Sequence, residues 1–190
     1  GSGRSEGRSL RKLHGSSLYG RCSADSVQPV TRHPGSWAYE VRERLRSLRL
    51  YTATSLTRAA GGESGCPSLV KVEGHESVNL YLDALAGYCR RMGHPIEAVL
   101  LPWRGGRPQG GPATTLDHEE TVRAKLRDLV QQHGLRPLAT RAGLHHSTLA
   151  RWASGEYRRL DLHRLERLAQ AAGLDPADLI LTPHTGGLPQ

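Results

Sequence analysis

The sequence lacks the features that define several large classes of protein. It contains no Phe, one Met and three Cys in 190 residues, and aromatic residues make up only 5 % of the chain. Any core must therefore be built from Leu, Val and Ala. No run approaches the roughly 18 apolar residues of a membrane span, so we expect no membrane partner. No charged segment followed by an apolar one marks a secretory signal.

Chemical motifs are also missing. Cys22, Cys66 and Cys89 are too few and too scattered for a disulfide framework, and none of them forms a C-x-x-C pair, which favours a reducing cytoplasm. We find no phosphate-binding glycine loop, no nucleophile motif and no metal-ligand spacing. The sequence therefore predicts neither an enzyme nor a bound cofactor or metal.

Positive charge is present, and it is unevenly placed. Of the net charge of +8, residues 1–36 carry +4 and residues 102–116 carry +2. Residues 1–36 are rich in Gly, Ser and Arg, and we interpret them as a disordered basic leader that begins with a cloning remnant at residues 1–3. Residues 102–116 have the Gly and Pro content of a flexible linker. A short tail, 183–190, ends the chain, and the excess of Arg over Lys is typical of a GC-rich bacterial genome.

The two segments between these basic stretches form a weak internal repeat. Apolar residues of 37–101 fall on apolar residues of 117–182 at offsets of 80 to 82, and Gly61 and Gly93 fall on Gly143 and Gly173. Drift of one or two residues is what small turn insertions cause. We interpret the pattern as a duplication of one helical domain.

Helical periodicity is clearest in the second copy. Asp117 is the expected N-cap of a first helix, with Glu120 completing a capping box and Gly134 ending the helix. Four shorter helices are expected at 137–142, at 146–154, from Asp161 to Gly173, and from Asp175 onward. Charged faces such as Arg123 to Arg127 are expected to face solvent. The predicted fold class is all-α, with two tandem five-helix domains.

Specific residues carry a resemblance to the Cro/phage-repressor (XRE) helix-turn-helix family. The segment Leu138-Ala139-x-x-Ala142-Gly143-Leu144 resembles the second helix and turn of that family. Ser147-Thr148-Leu149-x-x-Trp152-x-x-Gly155 resembles its recognition helix, and the Leu pattern of 162–179 resembles its last two helices. One departure is that only three residues separate Gly134 from Leu138, about two fewer than is usual.

The resemblance implies a surface that binds double-stranded DNA. His145, His146, Ser147 and Arg151 would approach base edges in the major groove, with Arg151 suited to guanine. Phosphate contacts would come from the remaining polar and basic residues of this region and of the linker, which are Thr148, Arg158, Arg159, Arg104 and Arg107.

Each of these assignments has a plainer alternative. His145 and His146 could be ordinary solvated residues, and no Cys or carboxylate at ligand spacing supports a metal site there. Arg151 could pair with Glu156. Trp152 is assigned to the core rather than to base stacking.

The first copy matches the family less well. The turn at 62–67 is long, and the segment Pro67 to Glu73 that would be its recognition helix is basic only at Lys71. Glu63, Glu73 and Glu76 would repel phosphate unless they are paired. We interpret residues 37–101 as a degenerate helix-turn-helix domain that serves homodimerisation or domain packing. The competing interpretation is that both copies bind DNA.

The predicted function is sequence-specific regulation of transcription, as a cytoplasmic, nucleoid-associated repressor. The rival hypothesis is a protein-interaction module, such as an antitoxin or phage-defence partner, that uses the same fold. Basic residues at 151, 158 and 159 favour DNA, whereas an apolar patch would have favoured a protein partner.

Deleting residues 1–36 is expected to weaken DNA binding most at low salt without changing the preferred sequence. The deletion removes six cations, and each phosphate neutralised contributes about 0.9 to the slope of log K against log salt concentration. The slope should therefore flatten by up to roughly five units if nearly all six engage. Binding titrations across a salt series measure this, and an unchanged slope would make the leader a passive tail. The cations are Arg4, Arg8, Arg11, Lys12, Arg21 and Arg32.

Overall fold

A computed structural model describes residues 35–75, 79–109, 117–157 and 159–181. Several predicted features therefore lie outside the described residues: the basic leader up to residue 34, Glu76, linker residues 110–116, Arg158 and the tail. Both helical halves belong to one compact unit. No helix of the described ranges is both long and apolar enough to cross a bilayer.

The described residues of the first half form five α-helices and one 3-10 turn. In chain order they are Trp37–Tyr51 (α1), Leu56–Ala60 (α2), the 3-10 turn Glu63–Gly65, Cys66–Glu73 (α3), Leu82–Arg91 (α4) and Glu97–Leu100 (α5). The 3-10 turn lies within residues 62–67, the turn that the sequence predicts to be longer than its counterpart in the family.

The described residues of the second half form five α-helices, and their lengths rank in the same order as those of the first half. They are His118–His133 (α6), Leu135–Arg141 (α7), His146–Ser154 (α8), Leu162–Ala172 (α9) and Pro176–Leu181 (α10). The all-α prediction is confirmed for the part of the chain that the structure describes. The expected bounds of α8 agree with the observed ones.

Capping residues set the start of α6 and α9. The Asp117 side chain accepts hydrogen bonds from the backbone N–H groups of Glu119 and Glu120, both at 3.1 Å. The Glu120 carboxylate pairs with Arg127 at 2.6 Å, so the acidic member of the predicted capping box serves an ion pair on the helix surface. Asp161 caps α9 by accepting from the N–H of Arg164. Burial is the main reason why the pKa of this carboxyl is raised.

The junction of α6 and α7 is short, and this explains the close spacing of Gly134 and Leu138. Gly134, at φ +76°, is the only residue between the two helices. The second helix begins at Leu135, two residues earlier than predicted. Pro137 is tolerated because it lies in the first turn, where its missing N–H has no helical acceptor to serve.

The prediction that Arg123 faces solvent is wrong. Arg123 is buried, and its guanidinium donates to the carbonyl oxygens of Trp152 (3.4 Å) and Tyr157 (3.1 Å). It also pairs with Glu119 at 3.1 Å. The side chain thus ties α6 to the end of α8, satisfying backbone oxygens that would otherwise lose solvent without a partner. Arg127, one turn further on, is exposed as expected.

The side chain of Glu73, at the end of α3, points into the first half of the chain. It is buried, and its two carboxylate oxygens accept hydrogen bonds from Nε and Nη2 of Arg49, each at 2.7 Å. This bidentate pair joins α3 to α1. The sequence predicts that Glu73 would repel phosphate unless its charge is paired. Arg49 pairs that charge inside the first half.

Candidate nucleic-acid interface

The turn between α7 and α8 depends on a glycine because of its backbone conformation. Gly143 has φ +59°, a left-handed conformation that L side chains rarely adopt. The space beside Gly143 is occupied by Nη2 of Arg167, the flexible end of an exposed side chain. That nitrogen donates to the Gly143 carbonyl oxygen at 2.6 Å, so Arg167 of α9 braces the turn from outside.

Two apolar residues anchor α8 to the rest of the second half. Leu149 and Trp152 have no exposed surface, and they lie in the same core as Leu138 and Ala139 of α7. Their spacing of three residues puts both on one face of the helix. The opposite face of α8 is consequently left to its polar residues, held on a rigid support.

His145 acts as the N-cap of α8. Its Nδ1 accepts the backbone N–H of Ser147 at 3.4 Å and lies 2.6 Å from the Ser147 hydroxyl. A ring nitrogen that accepts an N–H carries no proton itself, so Nε2 is left as the donor of the neutral ring. From the sequence, His145 is assigned to base reading, and its capping role is not predicted, since His is not among the residues usually preferred there.

The exposed side of α8 begins with two adjacent imidazoles. The rings of His145 and His146 lie 4.4 Å apart between centroids, and both residues are exposed. Ser147 and Thr148 follow in the first turn and are half-buried. No group of three or more His, Cys, Asp or Glu in the described ranges has the arrangement of a metal site.

Arg151 is the basic residue of this exposed side. Its side chain is 59 % exposed, and its Nε lies 3.8 Å from Oε1 of Glu156, which is itself 69 % exposed. The alternative partner named from the sequence is thus nearby, but at a distance too long for a hydrogen bond. An ion pair this exposed contributes little, at most about 1 kcal/mol. A ligand that offers Arg151 two hydrogen-bond acceptors can replace Glu156 as its partner at a small cost in free energy.

The other predicted phosphate contacts lie away from α8. Arg159 is exposed, and its guanidinium lies 5.3 Å from the centre of the Tyr81 ring in the first half. Arg104 and Arg107 face each other across a tight turn through paired backbone hydrogen bonds of 3.2 and 3.1 Å. Both are exposed, next to Trp103, whose indole donates to the carbonyl oxygen of Ala98. Among the described site residues, contacts join His145 to His146 and to Ser147.

Comparison with protein families identifies the second half. The helix-turn-helix family matches residues 126–179, which run from the middle of α6 to the last turn of α10. No curated protein and no solved structure matches the chain.

This segment is a helix-turn-helix of the Cro/phage-repressor (XRE) type, and the resemblance carried by residues 138–179 is confirmed. Domains of this type bind DNA and belong to regulators of transcription.

Proposed function

We propose that the protein regulates transcription by reading one DNA sequence through the major groove with α8. The observation that supports this most strongly is the exposed face of α8. His145, His146 and Arg151 lie on a helix whose inner face is locked by Leu149 and Trp152. Arginine forms two parallel hydrogen bonds to guanine O6 and N7, and imidazole N–H groups suit base or phosphate acceptors.

Repression is the regulatory outcome that we propose. A protein that occupies promoter DNA blocks transcription by excluding other proteins from the site, without any further contact. A reporter gene tests this by comparing the selected site within the promoter with the same site placed far upstream. Repression is expected only from the first position, and increased expression from the second would instead indicate an activator.

Replacing Arg151 by alanine is expected to lower affinity for the selected site by roughly 1–3 kcal/mol and to relax preference at one base pair. The reason is the loss of a bidentate contact that no neighbouring side chain can replace. Selection of bound DNA from a random pool, followed by titration of the selected site, measures both effects.

Arg127→Ala is the matched control, because it removes the same charge from the exposed surface of α6. It should leave the selected sequence unchanged. If Arg151→Ala binds with the same affinity and the same sequence preference as the parent protein, Arg151 takes no part in base reading.

A further inference from the structure

The two halves meet at a short antiparallel pairing between equivalent residues. Tyr81 and Asp161 form an isolated bridge. The N–H of Leu82 donates to the Leu160 carbonyl oxygen, and the N–H of Leu162 donates to the Leu80 carbonyl oxygen, both at 2.9 Å. Each residue on one side is 80 positions from its counterpart on the other, which is the offset of the sequence repeat.

This arrangement has local two-fold symmetry. In this antiparallel pair the residue after each bridge partner donates its N–H to the carbonyl oxygen of the residue before the other partner, so an axis through the centre of the pair interchanges the two strands. Here that axis also interchanges the starts of two equivalent helices, α4 and α9. A symmetric homodimer has the same property, since an identical surface patch on each subunit meets its own copy.

Four leucines bury the junction on both sides of the bridge. Leu80, Leu82, Leu160 and Leu162 are each at most 1 % exposed and belong to one continuous core.

A second contact ties the start of α1 to α9. The buried carboxylate of Glu166 accepts the backbone N–H groups of Trp37 (2.7 Å) and Ala38 (3.3 Å). Together with the leucines, this contact means that separating the halves would expose apolar side chains to water and break two hydrogen bonds to a buried carboxylate. Such a contact has the character of a permanent interface.

The two halves differ in what they present at the recognition helix. At the offset of 80, Lys71 of α3 is equivalent to Arg151 and Pro67 is equivalent to Ser147. Lysine is a point charge without the planar fork that reads guanine, and proline has no N–H to donate to a phosphate. Val70, 45 % exposed on α3, stands where α8 has Ala150. The first half therefore retains one cation on this face but few groups that select bases.

We infer that one chain is a complete DNA-binding unit, a dimer of helix-turn-helix domains made within a single polypeptide. Its site on DNA is asymmetric: α8 selects the bases of one half-site, and α3 lies on the neighbouring half-site with little base selection. This inference rests on the proposed function for its DNA partner. It gives the first half the domain-packing role, because residues 37–38 and 80–82 of that half contact the second half within the same chain.

The test combines mass, stoichiometry and sequence selection on the full-length chain. Light scattering should give the mass of one chain over a hundredfold range of concentration. Selection from a random pool should return a motif with a single specified half, bound by one chain per site. A palindromic motif, or two chains per site, would overturn the inference even if specific DNA binding is found.

Hydrogen exchange separates failure of the inference from failure of the proposed function. The amides of Leu82 and Leu162 should be protected to the same degree at all protein concentrations, because their acceptors belong to the same chain. If the protection of these amides from exchange decreases on dilution, the two halves do not pair within one chain. If no DNA sequence is enriched while protection and mass are as expected, the proposed function and the asymmetric site fail and the internal pairing stands.

Variants at the equivalent positions test the asymmetry. Arg151→Ala should change the selected motif, whereas Lys71→Ala should weaken binding by a similar factor for every sequence and flatten the salt dependence by about one unit. A change in base preference at a second half-site in Lys71→Ala would show that both halves read bases, and would contradict this division of roles.

Discussion

Replacing Trp152 by alanine is expected to lower the free energy of unfolding by about 3–5 kcal/mol. Trp152 is the largest fully buried side chain of the described residues, and it connects α8 to the core formed with α7. Alanine leaves a cavity that the neighbouring helices can fill only in part, because the Arg123 guanidinium holds the carbonyl oxygen of residue 152 in place. Denaturant unfolding followed by far-UV circular dichroism measures the loss.

Two variants serve as controls for Trp152→Ala. Arg151→Ala alters the exposed neighbour and should change stability by no more than about 0.5 kcal/mol. Trp152→Phe keeps a ring in the core and removes an indole N–H that has no hydrogen-bond partner among the described residues. It should therefore cost clearly less than alanine. If Trp152→Ala unfolds at the same denaturant concentration as Arg151→Ala, the tryptophan does not hold α8 in the way the structure indicates.

Replacing Arg49 by alanine is the second change with a large expected effect. It leaves the buried Glu73 carboxylate without its bidentate partner, and removing one member of a buried ion pair costs roughly 3–5 kcal/mol. The effect should lie toward the lower end, because the Arg49 side chain is 16 % exposed. Hydrogen bonds to Glu73 also raise the pKa of Arg49. The guanidinium therefore remains protonated at any pH used for folding studies.

A double variant identifies the cause of that loss. Arg49→Ala combined with Glu73→Ala removes the stranded carboxylate and should be less destabilised than Arg49→Ala alone. Arg46→Ala, on the exposed side of α1, removes an equal charge and should be nearly neutral. A double variant that is less stable than either single variant would mean that packing of the two side chains, rather than the unpaired charge, dominates.

Most of the helical framework of the second half could be predicted because its signals are local. Asp117 and Asp161 cap helices through N–H groups within three residues, and Gly143 and Gly173 end helices by adopting a left-handed conformation. The apolar spacing of Leu149 and Trp152 sets the buried face of α8. Each of these signals acts within one or two turns of helix, so a reader of the sequence has all the interacting residues in view.

The residues that brace the candidate interface could not be predicted in the same way. Arg167 holds the turn at Gly143 from 24 residues away, and Arg123 holds the end of α8 from 29 residues away. An arginine on a helix face has the same local pattern whether its guanidinium meets solvent or a backbone carbonyl oxygen. Only the packing of α6 and α9 against the helix-turn-helix decides which.

The sequence by itself determined the all-α class, most helix ends of the second half and the helix-turn-helix segment, because these follow from periodicity and capping within short stretches. The tertiary structure decided that Glu73 turns inward to Arg49 and that Leu82 and Leu162 pair the two halves. The reason is that hydrogen bonds between residues 24, 78 or 82 positions apart leave no local trace. Their free energy depends on the burial that forms around them when the helices pack.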